Sequence, residues 1–86
     1  MFYVYVLQSK EEEKRHYIGF TRDLRQRMAN HQAGKACKTT KNGEWKLIYY
    51  EAYLSEKDAR RRERRLKDGR AIYHLKERIR ISMEEG

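Results

Sequence analysis

The segment Phe2–Leu7 (FYVYVL) constrains the fold of this chain more than any other part of it. It combines aromatic residues with valine, a composition that favours a β-strand. Alternate residues of a strand point to opposite faces, and here both faces are apolar: Phe2, Val4 and Val6 on one, Tyr3, Tyr5 and Leu7 on the other. Because neither face suits water, the segment predicts the central strand of a sheet that is covered on both sides.

Two further segments predict strands beside this one. Tyr17–Phe20 (YIGF) follows a polar loop at Ser9–Arg15 and is expected to pair antiparallel with the first strand. Trp45–Tyr53 (WKLIYYEAY) is rich in aromatic residues and predicts a third strand. Six of the seven tyrosines fall on these strands, where tyrosine often serves packing alone.

The segment after the second strand predicts a first helix. Thr21 is a suitable N-cap, and Asp23 in the first turn would complement the helix dipole. The helix is expected to run to about Gln32 and to end at Gly34. A polar, basic loop follows over residues 35–44.

Two more helices are predicted toward the C-terminus. Ser55 and Asp58 are spaced as in a weak capping box and begin a helix that ends near Gly69. Apolar residues at spacings of 3, 4 and 4 then predict an amphipathic helix: Ile72, Leu75, Ile79 and Met83. The order β-β-α-β-α-α predicts an α+β fold with a small three-stranded antiparallel sheet and packed helices, in a single domain over residues 1–86.

The charge of the chain favours an anionic partner. Lys and Arg number 21 against 13 Asp and Glu, which gives a formal net charge of +8. Residues 20–50 carry seven basic and two acidic groups, net +5. A small basic domain of this kind suits nucleic acid, and solubility alone is the simpler alternative.

The composition also bears on where the chain is expected to act. No stretch approaches the roughly 20 apolar residues that span a membrane, and no basic region precedes Phe2–Leu7 as it would in a signal peptide. A single cysteine, Cys37, allows no internal disulfide. We therefore expect a cytoplasmic protein without a membrane partner.

Glu63 occupies an unusual position in the second predicted helix. Helical residues turn by 100° each, so Glu63 points within about 60° of Ala59 and Leu66, the apolar side of that helix. A carboxylate that borders a core needs a cation or hydrogen bonds. An ordinary ion pair with Arg60 or Lys67 is the structural alternative to a functional site.

Two pairs of residues add candidate chemistry. Arg27 and His31 are four residues apart and share a face of the first helix, where an arginine can grip a phosphate with its planar guanidinium. A surface arginine and a structural histidine are the ordinary alternatives. Tyr5 and Tyr17 lie across the predicted hairpin, which is expected to bring both hydroxyls toward the start of the first helix.

These residues resemble the motifs of a known family. The tripeptides Tyr3-Val4-Tyr5 and Tyr17-Ile18-Gly19 resemble the pair that names the GIY-YIG nucleases. Residues 17–31 (YIGFTRDLRQRMANH) resemble the second tripeptide with its helix, and residues 58–67 (DARRRERRLK) resemble the later helix that carries a metal-binding glutamate. The match covers roughly residues 2–67. It is closer to small standalone bacterial members than to the nuclease domain of the excision-repair incision protein or to homing endonucleases.

The resemblance implies a catalytic role for each matching residue. Tyr5 and Tyr17 would position or deprotonate the attacking water, with Tyr5 as the base and Tyr17 assisting. Arg27 would hold the scissile phosphate, and His31 falls at a His/Tyr position of the site. The reaction implied is hydrolysis of a phosphodiester bond, in DNA rather than RNA, by an enzyme expected to be a monomer and connected with DNA repair.

The resemblance also implies a metal ion. Glu63 matches the family's lone metal-binding carboxylate, which would hold Mg²⁺ or Mn²⁺. One carboxylate is sufficient in principle, because Mg²⁺ keeps several waters and binds substrate phosphates. Gly19 matches the small residue that lets the backbone pass close to the site.

Basic residues around the first helix predict the surface that binds nucleic acid. Contacts to phosphate do not read sequence, so low specificity is expected. The residues expected to contribute are Arg22, Arg25, Lys35, Lys38, Thr39, Thr40 and Lys41, with Lys46 as a further candidate.

Three positions depart from the family pattern. Tyr3 replaces the glycine of the first tripeptide, Phe20 stands where some members have a catalytic lysine, and no asparagine occurs after Asn42. These departures keep a second hypothesis open, a non-catalytic nucleic-acid-binding module. A small structural domain whose charge only maintains solubility is a third.

Overall fold

The computed structural model describes residues 1–12, 14–32 and 43–85. The elements in chain order are β1 (Phe2–Ser9), β2 (His16–Thr21), α1 (Leu24–Gln32), β3 (Trp45–Tyr53), α2 (Glu56–Lys67), α3 (Gly69–Arg78) and α4 (Arg80–Glu85). The strands form one antiparallel sheet, and the predicted α+β fold class is confirmed. None of the described helices combines the length and apolarity needed to cross a bilayer.

The central position of β1 is confirmed as well. The strand order is β2-β1-β3, and Tyr5 of β1 lies opposite Gly19 of β2 on one side and Tyr50 of β3 on the other. Both faces of β1 are covered, as its two apolar faces require. Val4 and Val6 are fully buried on one face, and Tyr5 is fully buried on the other.

The core lies between one face of the sheet and helices α2 and α3. Its buried members are Val4, Val6, Ala59, Leu66 and Leu75. Burial of each valine or leucine contributes about 1.5–3 kcal/mol relative to leaving it exposed. In α2 only Ala59 and Leu66 are buried, so the apolar stripe of this helix is narrow and charged residues border it directly.

The start of α1 differs from the prediction. Thr21 is the last residue of β2, and its hydroxyl bonds locally to the backbone of Asp23. The backbone N–H of Gln26 donates to Oδ1 of Asp23 at 3.0 Å, so Asp23 rather than Thr21 caps the helix that begins at Leu24. Gly34, the predicted end, lies outside the described residues.

Two further helix predictions need correction. Ser55 is the N-cap of α2, but its side chain makes no capping hydrogen bond, and Asp58 forms an ion pair with Arg61 instead. The single amphipathic helix predicted near the C-terminus is two helices, α3 and α4, separated at Ile79. Ile79 leaves the helical conformation (φ −110°, ψ 20°) while packing against the core, so the apolar spacing continues through the break.

Candidate functional site

Three predicted site residues meet on the face of the sheet that α1 covers. The hydroxyl of Tyr5 lies 3.2 Å from Nε2 of His31, within hydrogen-bonding distance. The ring centroid of Tyr17 lies 6.1 Å from that of Tyr5 and 5.6 Å from that of His31. We call these three residues the ring cluster. The sequence predicts that the hydroxyl of Tyr5 lies toward the start of α1. His31 belongs to the last turn of α1, so this hydroxyl instead meets the end of the helix.

The ring cluster depends on Gly19. This glycine lies directly opposite Tyr5 in the sheet, and a Cβ at position 19 would lie 2.4 Å from both Cζ and Oη of Tyr5. Such a distance is far inside van der Waals contact. The missing side chain therefore leaves the space through which the Tyr5 ring extends across β2 to reach His31.

The members of the ring cluster differ in their access to solvent. Tyr5 is fully buried, whereas Tyr17 and His31 are half-buried. A phenol enclosed on all sides cannot contact a water molecule that enters from solvent. Tyr17 is therefore the more accessible of the two phenols.

The surroundings of His31 favour a neutral imidazole. Burial lowers the pKa of His31, and the positive charge of Arg27, one turn earlier on α1, lowers this pKa further. A neutral ring carries one unprotonated nitrogen that can accept a hydrogen bond. With Nε2 as that nitrogen, the hydroxyl of Tyr5 donates to His31 and fixes the orientation of the ring.

Arg27 also lines a cleft at the β2 edge of the sheet, which we call the edge cleft. It has a volume of about 490 Å³ and lies between β2, α1 and α2. Three arginines from different parts of the chain line it: Arg22, Arg27 and Arg60. Guanidinium groups bind phosphate oxygens through paired hydrogen bonds, so the edge cleft suits a phosphate group.

One of these arginines, Arg60, packs on the ring of Phe20. The guanidinium carbon of Arg60 lies 3.9 Å from the centroid of the Phe20 ring, a cation–π contact. Phe20 occupies the position at which some members of the family that these motifs resemble carry a lysine. In this chain the aromatic ring instead holds a cation that comes from α2.

The rotation of α2 directs Glu63 toward the same edge. At 100° per residue, Arg62 and Glu63 each lie about 50° from the midline of the stripe formed by Ala59 and Leu66, on opposite sides. Arg62 forms an ion pair with Glu51 of β3. Glu63 therefore points to the opposite edge of the sheet, where β2 lies.

The sequence leaves two ion-pair partners open for Glu63, Arg60 and Lys67, and the structure shows the pair with Lys67. Arg60, three residues earlier, is directed onto Phe20 of β2, and residues three apart are neighbours on a helix surface. Nζ of Lys67 donates to Oε2 of Glu63 at 3.2 Å. The Glu63 side chain is 15% exposed, so its carboxylate lies at the border between the core and solvent.

The donor set around Glu63 fits a hard divalent cation with few protein ligands. Within residues 1–12, 14–32 and 43–85, no group of three or more His, Cys, Asp or Glu side chains is arranged to hold a metal. A structural zinc site takes four protein ligands. Mg²⁺ binds through one or two carboxylates and completes its shell with water and substrate phosphates, which a single glutamate beside a phosphate cleft can satisfy.

The predicted binding residues are only partly described by the structure. Arg22 and Arg25 are exposed, and Arg22 forms an ion pair with Glu56 while it lines the edge cleft. Nζ of Lys46 donates to the backbone oxygen of Met83 at 3.2 Å. The remaining predicted residues lie outside the described ranges: Lys35, Lys38, Thr39, Thr40 and Lys41.

The sequence-based prediction missed the arginines of α2. Four of them are exposed: Arg60, Arg61, Arg64 and Arg65. The run of arginines on either side of Glu63 is the available signal in the sequence. On the folded chain Arg60 lines the edge cleft with Arg22 and Arg27, so the basic surface of α1 continues onto α2 at this residue.

Comparison with known proteins supports the motif assignment. Residues 1–73 match the family described as the GIY-YIG catalytic domain. The chain is 39% identical over 66 residues to a UPF0213 protein of Streptococcus pneumoniae, which covers 76% of this chain and 65% of that relative. It is 38% identical over 66 residues to UPF0213 protein SH2523 of Staphylococcus haemolyticus, covering 76% and 78%. The chain thus spans just under two thirds of the pneumococcal protein, and no solved structure shows a significant match.

Proposed function

This chain belongs to the GIY-YIG family, and from that premise we propose that it is a metal-dependent endonuclease that hydrolyses phosphodiester bonds in DNA with low sequence specificity. The observation that carries the proposal is the position of Arg27, which lines the edge cleft together with Arg22 and Arg60 and whose charge also acts on His31 of the ring cluster. Glu63 lies three residues after Arg60 on α2, on the same side of that helix. A fold alone hosts many activities, so the proposal rests on these side chains.

Three arginines supply the charge for binding a phosphodiester. Arg27, Arg60 and Arg22 would hold the scissile phosphate and its neighbours in the edge cleft. A cation fixed in place before the reaction stabilises the charge that develops on the phosphoryl oxygens, and it does so without reorganisation. Because these contacts address the backbone, they support cleavage with low sequence specificity.

We assign the role of general base to Tyr17. It is the half-buried phenol of the ring cluster, and the positive charge of Arg27, which acts on the neighbouring His31 ring, would stabilise its phenolate form. Tyr5, which is fully buried, is a positioning residue: its hydroxyl is hydrogen-bonded to Nε2 of His31, whose ring packs against that of Tyr17. A free phenol has a pKa of about 10, so this stabilisation is required for the role.

Glu63 is the proposed ligand for Mg²⁺ or Mn²⁺. A bound ion of this kind would polarise the phosphate and stabilise the leaving oxygen. Within the chain, the carboxylate of Glu63 accepts a hydrogen bond from Nζ of Lys67. The narrow apolar stripe of α2 holds this carboxylate at the border between core and solvent.

The test is cleavage of a DNA substrate in Mg²⁺ or Mn²⁺ by purified variants. Arg27→Ala and Glu63→Gln should each lower the rate by about 100-fold or more, the size of effect seen when one charge-stabilising group is removed. Arg61→Ala is the matched control, because Arg61 is an exposed arginine of α2 that does not line the edge cleft. If Glu63→Gln cuts at the wild-type rate, Glu63 is not the metal ligand.

A non-catalytic nucleic-acid-binding module is the second candidate. One observation favours it: Lys67 already neutralises Glu63, the ordinary ion pair that needs no metal. This alternative predicts DNA binding that weakens with salt, survives Glu63→Gln and leads to no cleavage in either metal.

A further inference from the structure

A second cleft lies on the other side of α1. It has a volume of about 460 Å³ and lies between α1 and β3. Leu24 and Met28 of α1 form one wall, Leu47 and Tyr50 of β3 form the other, and Tyr3 of β1 lies between them. We call it the aromatic cleft.

The aromatic cleft leaves a large ring open to solvent. Tyr50 is 54% exposed, and the Tyr3 ring meets it edge-on, with centroids 6.3 Å apart at 61°. Leu47, on the same wall, is also exposed. An exposed apolar group of this kind, arranged in a concave site, indicates a binding surface.

The charge at this cleft selects among possible occupants. Arg22 and Arg25 line it together with Asp23, so two cations border an aromatic surface against one carboxylate. Proteins that bind single-stranded nucleic acid combine these two features, a basic groove for the backbone and aromatic rings on which bases stack. Arg25 forms no salt bridge with another described residue, which leaves its guanidinium available for phosphate.

The aromatic cleft adjoins the edge cleft. Arg22 and Asp23 line both, so the two meet across the N-terminus of α1. Tyr50 also lies directly opposite Tyr5 in the sheet, one strand away from the ring cluster. A chain of nucleotides that places a phosphate in the edge cleft can therefore extend into the aromatic cleft.

We propose that the aromatic cleft binds an unstacked nucleobase of a nucleic acid whose neighbouring phosphate lies in the edge cleft. A base inside a duplex is stacked on both faces and cannot reach Tyr50, so the site selects single-stranded or branched nucleic acid. Stacking uses the face of the base, which every base has, and therefore adds structure selectivity without sequence selectivity. The inference rests on the proposed function and specifies the class of its substrate.

The test measures binding with no metal present. Fluorescence anisotropy compares a labelled single-stranded oligonucleotide with a duplex of the same length. Tyr50→Ala should weaken single-strand binding by about 5- to 150-fold, the range for loss of one base–aromatic stack. Duplex binding should change by less than about twofold, as for a neutral surface substitution.

Two variants serve as controls. Tyr50→Phe keeps the ring and should bind single strands like the wild type, and it keeps the test valid if Tyr50→Ala fails to fold. Tyr73→Ala removes another exposed tyrosine (63%), which belongs to α3 and does not line the cleft, and should have no effect. A 2-aminopurine base at the unpaired position should lose fluorescence on binding to wild type and to Tyr50→Phe, because it stacks on the ring.

Three results would overturn the proposal. Tyr50→Ala could weaken duplex and single-strand binding equally, it could change neither, or it could alter the oligomeric state in light scattering, which would mean that a second copy of the chain covers the cleft. Failure of the nuclease proposal gives a different result. Selective single-strand binding through Tyr50, with no cleavage in Mg²⁺ or Mn²⁺, would refute the enzyme and retain the binding site.

Discussion

Arg62 of α2 and Glu51 of β3 form an ion pair with several contacts. Nε of Arg62 lies 3.0 and 3.1 Å from the two carboxylate oxygens of Glu51, and Nη2 lies 3.0 Å from Oε2. The hydroxyls of Tyr49 and Tyr53 donate to the same carboxylate. Since this pair holds Arg62 toward β3, Glu63 on the other side of the apolar stripe of α2 faces away from β3.

Removing Glu51 should lower the free energy of unfolding by about 2–4 kcal/mol. Glu51→Ala leaves Arg62, which is only 28% exposed, without its charged acceptor, and a mostly buried cation without a partner is costly. Asp58→Ala is the control: it removes the exposed ion pair with Arg61 and should cost about 0–1 kcal/mol. Urea denaturation measures the free energy of unfolding of both variants. Equal losses would show that the Arg62–Glu51 pair stabilises the fold no more than an exposed ion pair does.

The same carboxylate should make stability depend on acid pH. Burial raises the pKa of Glu51, but hydrogen bonds from Arg62, Tyr49 and Tyr53 outweigh it and hold this pKa below the usual 4.5. A carboxyl whose pKa is lower in the folded state stabilises the fold above its unfolded pKa, and this stabilisation is lost as pH falls through the folded pKa. The free energy of unfolding should therefore decline below about pH 4.5. Glu51→Gln should flatten that decline, and an unchanged slope would exclude Glu51 as its source.

Gly19→Ala should disrupt the ring cluster. The new Cβ would collide with the Tyr5 ring, which is fully buried and cannot move aside freely, so we expect a loss of about 1–3 kcal/mol in unfolding free energy. Gly69→Ala is the control, because nothing lies within 4 Å of a Cβ there and alanine favours a helix by about 0.5–1 kcal/mol. Thermal denaturation distinguishes the two, and a stable Gly19→Ala variant would mean that Tyr5 has room to shift.

The parts of the site that the sequence predicts correctly are those fixed by local pattern. The hairpin of β1 and β2 follows from two apolar segments and a polar loop, and it alone sets Tyr5 opposite Gly19. The contact between the Tyr5 hydroxyl and His31 could not be predicted, because the two residues are 26 apart in the chain and meet only through tertiary packing. For the same reason the direction of Glu63 was ambiguous: a helical pattern gives its apolar face but not the residue on another element that fixes its rotation.

Acid should reduce cleavage through His31. Burial and the charge of Arg27 lower the pKa of His31, so the neutral ring that accepts from Tyr5 persists below pH 6.5 and is lost only at a more acidic pH. The rate should therefore fall on the acid side of the profile below about pH 6.5. His31→Gln should remove this decline, and His74→Gln, an exposed histidine of α3, should retain it. If the decline remains in His31→Gln, another group controls the acid side.

Lys67 should set the metal requirement. Its Nζ lies 3.2 Å from the Glu63 carboxylate, where a divalent cation would bind, so the ammonium and the metal compete for one anion. Lys67 is 56% exposed, and an exposed pair of this kind is worth about 0.2–1 kcal/mol. Lys67→Met should thus lower the Mg²⁺ concentration for half-maximal cleavage by up to about fivefold without changing kcat. Lys57→Met, at an exposed position in the first turn of α2, should leave that concentration unchanged. A higher Mg²⁺ requirement in Lys67→Met, together with weaker DNA binding, would instead place Lys67 on the substrate and remove it from the control of Glu63.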